Sequence, residues 1–134
     1  MIYRILFVFL LIGAFGSETF AQREFKTAGG DTIYVMKRYV FMLLNEGPKR
    51  DQDSVISAKI QEGHMKHINE MAKTGKLAMA GPFEKGGKHR GILIFDVDSI
   101  SQAIRMESTD PAVVSGRLEM QAIYWWAAKD SKLP

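Results

Sequence analysis

Between Ser54 and Lys73 apolar and polar residues alternate with a helical period. At 100° per residue, Ile60, Ile68 and Met71 fall within about 40° of His64, while Lys59, Lys66, Asn69, Glu70 and Lys73 avoid that centre. The pattern predicts an amphipathic helix from about Val55 to Lys73, capped by Asp53 or Ser54 and ended by Gly75. A histidine thus occupies the middle of the stripe that should face a core.

The flanking segments read as strands. Thr32 to Leu44 is rich in β-branched and aromatic residues, and both sets of alternate positions are largely apolar near its end. That suits a central strand covered on both faces. Lys76 to Ala80 predicts a short strand closed by Gly81-Pro82, and Gly91 to Val97 another after the turn from Glu84 to Arg90. Asp98 or Ser99 caps a second helix over Ile100 to Glu107. Asp110 before Pro111 is an N-cap pattern with proline at the first helical position, followed by a single turn through Val114. Arg117 to Ala127 is the last strand. Trp125 and Trp126 point to opposite faces of it, so one is expected in the core and the other at a contact between subunits. Gln22 to Asp31, with Gly29-Gly30, reads as a flexible lead-in, and Lys129 to Pro134 as a loose tail.

This order makes an α+β domain of the ferredoxin-like βαββαβ type, a four-stranded antiparallel sheet with two helices on one face. Apolar residues occupy both faces of the first and last strands. The face without helices therefore needs a partner, and a two-fold homodimer packing sheet on sheet supplies one.

The first 21 residues stand apart. Arg4 precedes an apolar run from Ile5 to Gly16, and Thr19-Phe20-Ala21 places small residues where a signal peptidase cuts. The run is short of the roughly 20 residues that span a bilayer. We expect a signal peptide over 1–21, a lead-in over 22–31, the domain over 32–128 and a tail over 129–134. The expected product is exported, periplasmic or extracellular, with no membrane association after cleavage. The chain has no cysteine, so the exported domain must fold on its hydrophobic core alone, without disulfides or a lipidated cysteine. A net charge of +3, spread along the chain, gives no footprint for nucleic acid.

No phosphate loop, nucleophile elbow or dinucleotide fingerprint is present, and no cofactor is expected. The candidate chemistry centres on His64, either a satisfied core histidine or a site residue. His67 lies about 60° around the helix from it, and is either a ligand contact or a flank residue. The two histidines, with His89 and Asp110, could also approach one metal, but the spacing is a weak signal and no metal is expected. Arg38 interrupts an otherwise apolar strand face and either meets an acidic ligand or forms a surface ion pair.

Several motifs in order resemble the YCII-related proteins, of the dimeric α+β barrel fold. They are His64 eleven residues before Gly75, then Lys76 through Phe83, the Gly91-Ile92-Leu93-Ile94-Phe95 strand, Asp110-Pro111-Ala112-Val113, Gly116-Arg117-Leu118, and an aromatic-ended strand. Glu46-Gly47-Pro48 followed by Gln52-Asp53 is similar to a branch of that family with a long first loop. The resemblance implies a dimer with a pocket between sheet and first helix in each subunit. It also implies that His64 and Asp110 face each other there as an acid–base pair acting on a small molecule. A carboxylate would fix the imidazole tautomer and make a competent base near neutral pH. The expected function is therefore a small-molecule enzyme of lyase or isomerase type. The alternative is a ligand-binding or dimeric assembly module in which the pair is structural.

Overall fold

The computed structural model describes residues 22–85 and 87–134. The expected signal segment lies outside the described residues. The elements run β1 (Glu24–Gly29), β2 (Thr32–Glu46), α1 (Ser54–Lys73), β3 (Leu77–Pro82), β4 (His89–Phe95), α2 (Ile100–Glu107), a single turn α3 (Pro111–Val114) and β5 (Leu118–Ala128). This is the expected α+β order with one strand added at the front.

The added strand corrects the reading of residues 22–31 as a flexible lead-in. Gly29 pairs with Thr32, so Gly30-Asp31 is a two-residue hairpin turn, with Gly30 at φ +61°. Positive φ at the first central position is what tight hairpins favour and what glycine allows without strain. The Gly-Gly signal was therefore a hairpin rather than a linker. Ion pairs anchor the strand end: Arg23 bonds Asp96 and reaches Asp98 at 2.9 Å, and Lys37 meets Asp96 at 2.5 Å. These partners are more than fifty residues away in sequence, beyond any local pattern.

β2 is the centre of an antiparallel sheet. Its second half pairs with β4 on one edge and with β5 on the other, β3 lies outside β4, and β1 extends the β4 edge along the first half of β2. The register puts Val40, Met42 and Leu44 on the same face as Leu93 and Phe95, and all five are buried beneath the helices. Met71 of α1, Ala103 of α2 and Val97 complete that core. The stripe foreseen on α1 is the inward one, with Met71 buried and Ile60, His64, His67 and Ile68 partly so. Asp53 caps it, its side chain accepting from Ile56 N at 2.8 Å, a bond worth about 1 kcal/mol.

The opposite face carries Tyr39, Phe41, Ile92, Met79, Ile123 and Trp125, with none of the described helices above it. The two tryptophans do lie on opposite faces, but neither is core: Trp125 is 43% exposed and Trp126 37%. Trp126 packs edge-on against Phe25 of the added strand, centroids 4.9 Å apart. Residues 129–134, expected to be loose, turn at Asp130 and set Ser131 to Leu133 at the rim of the open face. Among the described residues no helix is long and apolar enough to cross a membrane.

Candidate functional site

α1 and α3 approach each other closely, and a glycine permits it. A Cβ on Gly63 would lie 2.8 Å from Pro111 Cγ, so any larger residue would push the two elements apart. One position on from that contact, His64 Nδ1 lies 2.5 Å from Asp110 Oδ2. The other carboxylate oxygen, Asp110 Oδ1, accepts from Ala112 N at 2.7 Å and caps α3. Asp110 thus caps α3 with one carboxylate oxygen and meets His64 with the other.

The electrostatics set the tautomer. Burial alone would raise the Asp110 pKa, but the hydrogen bond from His64, the one from Ala112 N and the imidazole charge outweigh it and hold the carboxyl below its ordinary value. An anionic Asp110 accepts, so the proton of a neutral His64 resides on Nδ1 and Nε2 keeps the lone pair. The His64 side chain is 12% exposed and that of Asp110 is fully buried, so only the imidazole reaches solvent.

Behind the pair lies a residue that the sequence reading passed over as a helix end. Glu107, last in α2, is fully buried. No donor reaches either of its oxygens, and His67 Nε2, 3.5 Å away, is too far for a good hydrogen bond. Burial, then the charge of Asp110 and the hydrogen bond to it, push the Glu107 pKa up to about 9. Neutral Glu107 has one O–H to give, and the Asp110 carboxylate beside it is the acceptor. The sequence signal was present but faint: an acidic residue at the end of an amphipathic helix, three before Asp110.

Donor atoms of His64, Glu107 and Asp110 lie within 4.8 Å of one another, a set whose chemistry would suit a divalent cation. The arrangement itself is a hydrogen-bonded one. His64 Nδ1 and Asp110 Oδ2 are closer than the roughly 3 Å that separates two donors on one ion. The wider grouping with His67 and His89 is not formed: His67 faces Glu107, and His89 Nδ1 bonds Asn45 Oδ1 at 2.6 Å.

Two adjoining cavities meet at His64. One, of about 300 Å³, runs between α1 and the β3–β4 pair and is walled by Leu44, Met65, Ile68, Pro82, Leu93 and Leu118. The other, of about 460 Å³, opens past Phe83, Arg90 and Arg117. Gln61, Pro82, Arg90 and Leu118 line both, as His64 does. Neither Arg38 nor His67, both named as candidate ligand contacts, lines either cavity. Arg38 stacks on Tyr124, 4.3 Å from the ring centroid, and donates to Asp98 O at 3.2 Å. It sits mid-strand in β2, opposite Trp126 of β5. His67 points inward to Glu107, with its Nε2 3.5 Å from Oε2.

The profile of the YCII-related domain matches residues 40–127, from the buried half of β2 to the end of β5. The chain belongs to the YCII-related family. One solved structure similar to it is 5-chloro-2-hydroxyhydroquinone dehydrochlorinase from Burkholderia phenoliruptrix AC1100, in complex with 2,5-dihydroxybenzoquinone. The two share 15% identity over 64% of this chain and 90% of that one, with a TM-score of 0.43. No protein of curated function matches the chain. The matched segment contains His64, Glu107 and Asp110 and begins after β1.

Proposed function

We propose that this YCII-related domain is an exported acid–base enzyme, of lyase or isomerase type, acting on a small ring- or carbonyl-bearing molecule. His64 Nε2 takes a proton from substrate carbon or oxygen. Asp110 holds the opposite ring nitrogen and stabilises the imidazolium that forms, and neutral Glu107 keeps Asp110 in place. The observation that carries this reading is the 2.5 Å His64–Asp110 bond at the wall of an apolar cavity of about 300 Å³. A pair that served only the fold would not need to meet where two cavities join.

The second reading, a domain that binds a small ligand without changing it, draws on Asp110 already serving as the α3 cap. One experiment separates the two. A library of small cyclic and carbonyl compounds is screened by thermal shift, and each compound that raises the Tm is incubated with wild type and with His64→Gln. Catalysis predicts turnover by the wild type that falls about 10²–10⁴-fold in the variant. Ligands recovered unaltered from the wild type favour binding alone.

We extend the proposal to assembly and location. The open face presents exposed Met79, Ile123 and Trp125 beside Tyr39 and Phe41, the kind of apolar surface two sheets bury against each other. The apolar run and the small residues before Gln22 support export. Light scattering and intact mass of the protein recovered outside the cytoplasm should give a dimer of chains beginning at Gln22. A monomer refutes the assembly, and a retained Met1 refutes cleavage.

A further inference from the structure

The larger cavity beside His64 is rich in cations. Arg50, Lys85, Arg90 and Arg117 all line it, against Glu84 on its wall. Glu46 lies behind and bonds both Arg50, at 3.1 Å, and Arg90. One carboxylate thus serves two guanidinium groups. Among the described residues no carboxylate pairs with Arg117: its Nη1 donates to Gln52 Oε1 at 2.7 Å and to Ser57 Oγ at 3.1 Å, both neutral. Those two bonds fix one side of the guanidinium and leave its positive charge uncompensated. Arg90 lines both cavities, and its Nε is buried with no hydrogen-bond partner. A surplus of fixed, partly desolvated positive charge is unfavourable for the free protein. It becomes favourable when an anion arrives, because charge-assisted bonds from a preorganised guanidinium cost little ordering.

The smaller cavity has the opposite character, with Leu44, Ile68 and Leu93 among its walls. A ligand reaching across both must be apolar at one end and negatively charged at the other. His64 stands where the two ends join.

We infer that the site takes a small organic carboxylate, its ring or short carbon skeleton in the apolar cavity and its carboxylate against Arg117 and Arg90. This deepens the reading of the His64 cleft as a small-molecule site, and rests on it. Arg117 is a binding and orienting group here, and the orientation brings the carbon skeleton, rather than the carboxylate, to His64 Nε2.

Benzoate and benzyl alcohol match in ring and size and differ in charge, and inorganic phosphate supplies charge without a ring. Binding of the three to the full protein is measured by NMR titration for wild type, Arg117→Gln, Arg117→Lys, Arg90→Gln and His64→Asn. Benzoate should bind the wild type about tenfold or more tightly than either other probe. Arg117→Gln should remove about that factor for benzoate and leave benzyl alcohol unchanged, and Arg117→Lys should restore part of it. His64→Asn should keep the benzoate preference, so a failure of the catalytic reading leaves this one standing. Equal affinity for benzoate and benzyl alcohol, or for benzoate and phosphate, overturns the inference. So does a benzoate preference that survives in both Arg117→Gln and Arg90→Gln. Tm without ligand is recorded for every variant; if Arg117→Gln does not fold, Arg90→Gln and Arg117→Lys carry the test.

Discussion

Asp96 is a partly buried carboxylate and Glu107 a fully buried one, and their neighbours differ in sign. Asp96 lies between Lys37 and Arg23. Burial pulls its pKa up, but the bonds and charges of those two cations hold it below the ordinary value. Among the described residues Glu107 has no cation beside it, only another carboxylate and an imidazole, and burial leaves it protonated up to about pH 9. Asp96 ties the β1 hairpin to the loop after β4, a structural task that two ion pairs accomplish. Glu107 fastens no two elements by an ion pair; its hydrogen bond goes to Asp110. A buried acid kept without a counter-charge next to a His–Asp pair marks the site, whereas a compensated one marks a fastening.

That contrast can be broken most forcefully at Asp110. Asparagine also caps helices well, so Asp110→Asn should keep α3 and change the Tm little. It removes the negative charge that supports the imidazolium, and turnover of any substrate identified should fall about 10²–10⁴-fold. Undiminished turnover with an intact fold would show that Asp110 is a cap and no more.

Glu107 should dominate the pH dependence of stability. Unfolded, it releases its proton near pH 4.5; folded, near pH 9. Below 4.5 both states hold the proton, and between the two values only the folded state does. Folding stability should therefore fall as pH rises through that window and be lowest above it. Differential scanning at pH 5 and pH 9 should give a wild-type Tm decline exceeding that of Glu107→Gln by on the order of 10 °C. Parallel declines would show that Glu107 is ionised in the folded protein.

The smallest effect belongs to Asp96, and its sign is reversed. Its depressed pKa contributes stability above the unfolded value of 3.8, lost as pH falls through the lower folded one. Because these ion pairs are partly solvated, Asp96→Asn should cost only about 1 kcal/mol at pH 7 in urea unfolding and nothing once the pH is below both values. A loss that persists in acid would assign the effect to packing of the hairpin.

The course of the chain was legible where periodicity was strong. α1 and its cap, the Asp110-Pro111 turn, and four of the five strands lie close to where their patterns put them. β1 escaped because its alternation is mostly polar on both faces and a Gly-Gly pair reads equally as linker or turn. His64 was legible as a polar residue in an apolar stripe, and Asp110 through its resemblance to the family pattern. Glu107 and Gly63 were not, because nothing local distinguishes a helix-ending acid that is buried from one that is solvated. The surroundings of Arg38 stayed open for a related reason. Strand alternation names the face a residue is on, but not whether a helix, a ring or a cavity lies above it.

By itself, then, the amino-acid sequence determined the element order, the α+β class, the stripe that faces inward and the membership of His64 in it. These follow from 3.6- and 2-residue periods and from caps, all of which act over a few residues. The tertiary structure decided which groups meet: Asp110 forty-six positions after His64, Glu107 between that pair and His67, and Arg117 among neutral partners beside Arg90. Protonation states and ligand preference belong to that second level, because each depends on burial and on charges contributed by segments far apart in the chain. For His64 the consequence is specific: the sequence placed it in the stripe, and only the packing of α1 on α3 at Gly63 turned it into one end of a buried acid–base chain.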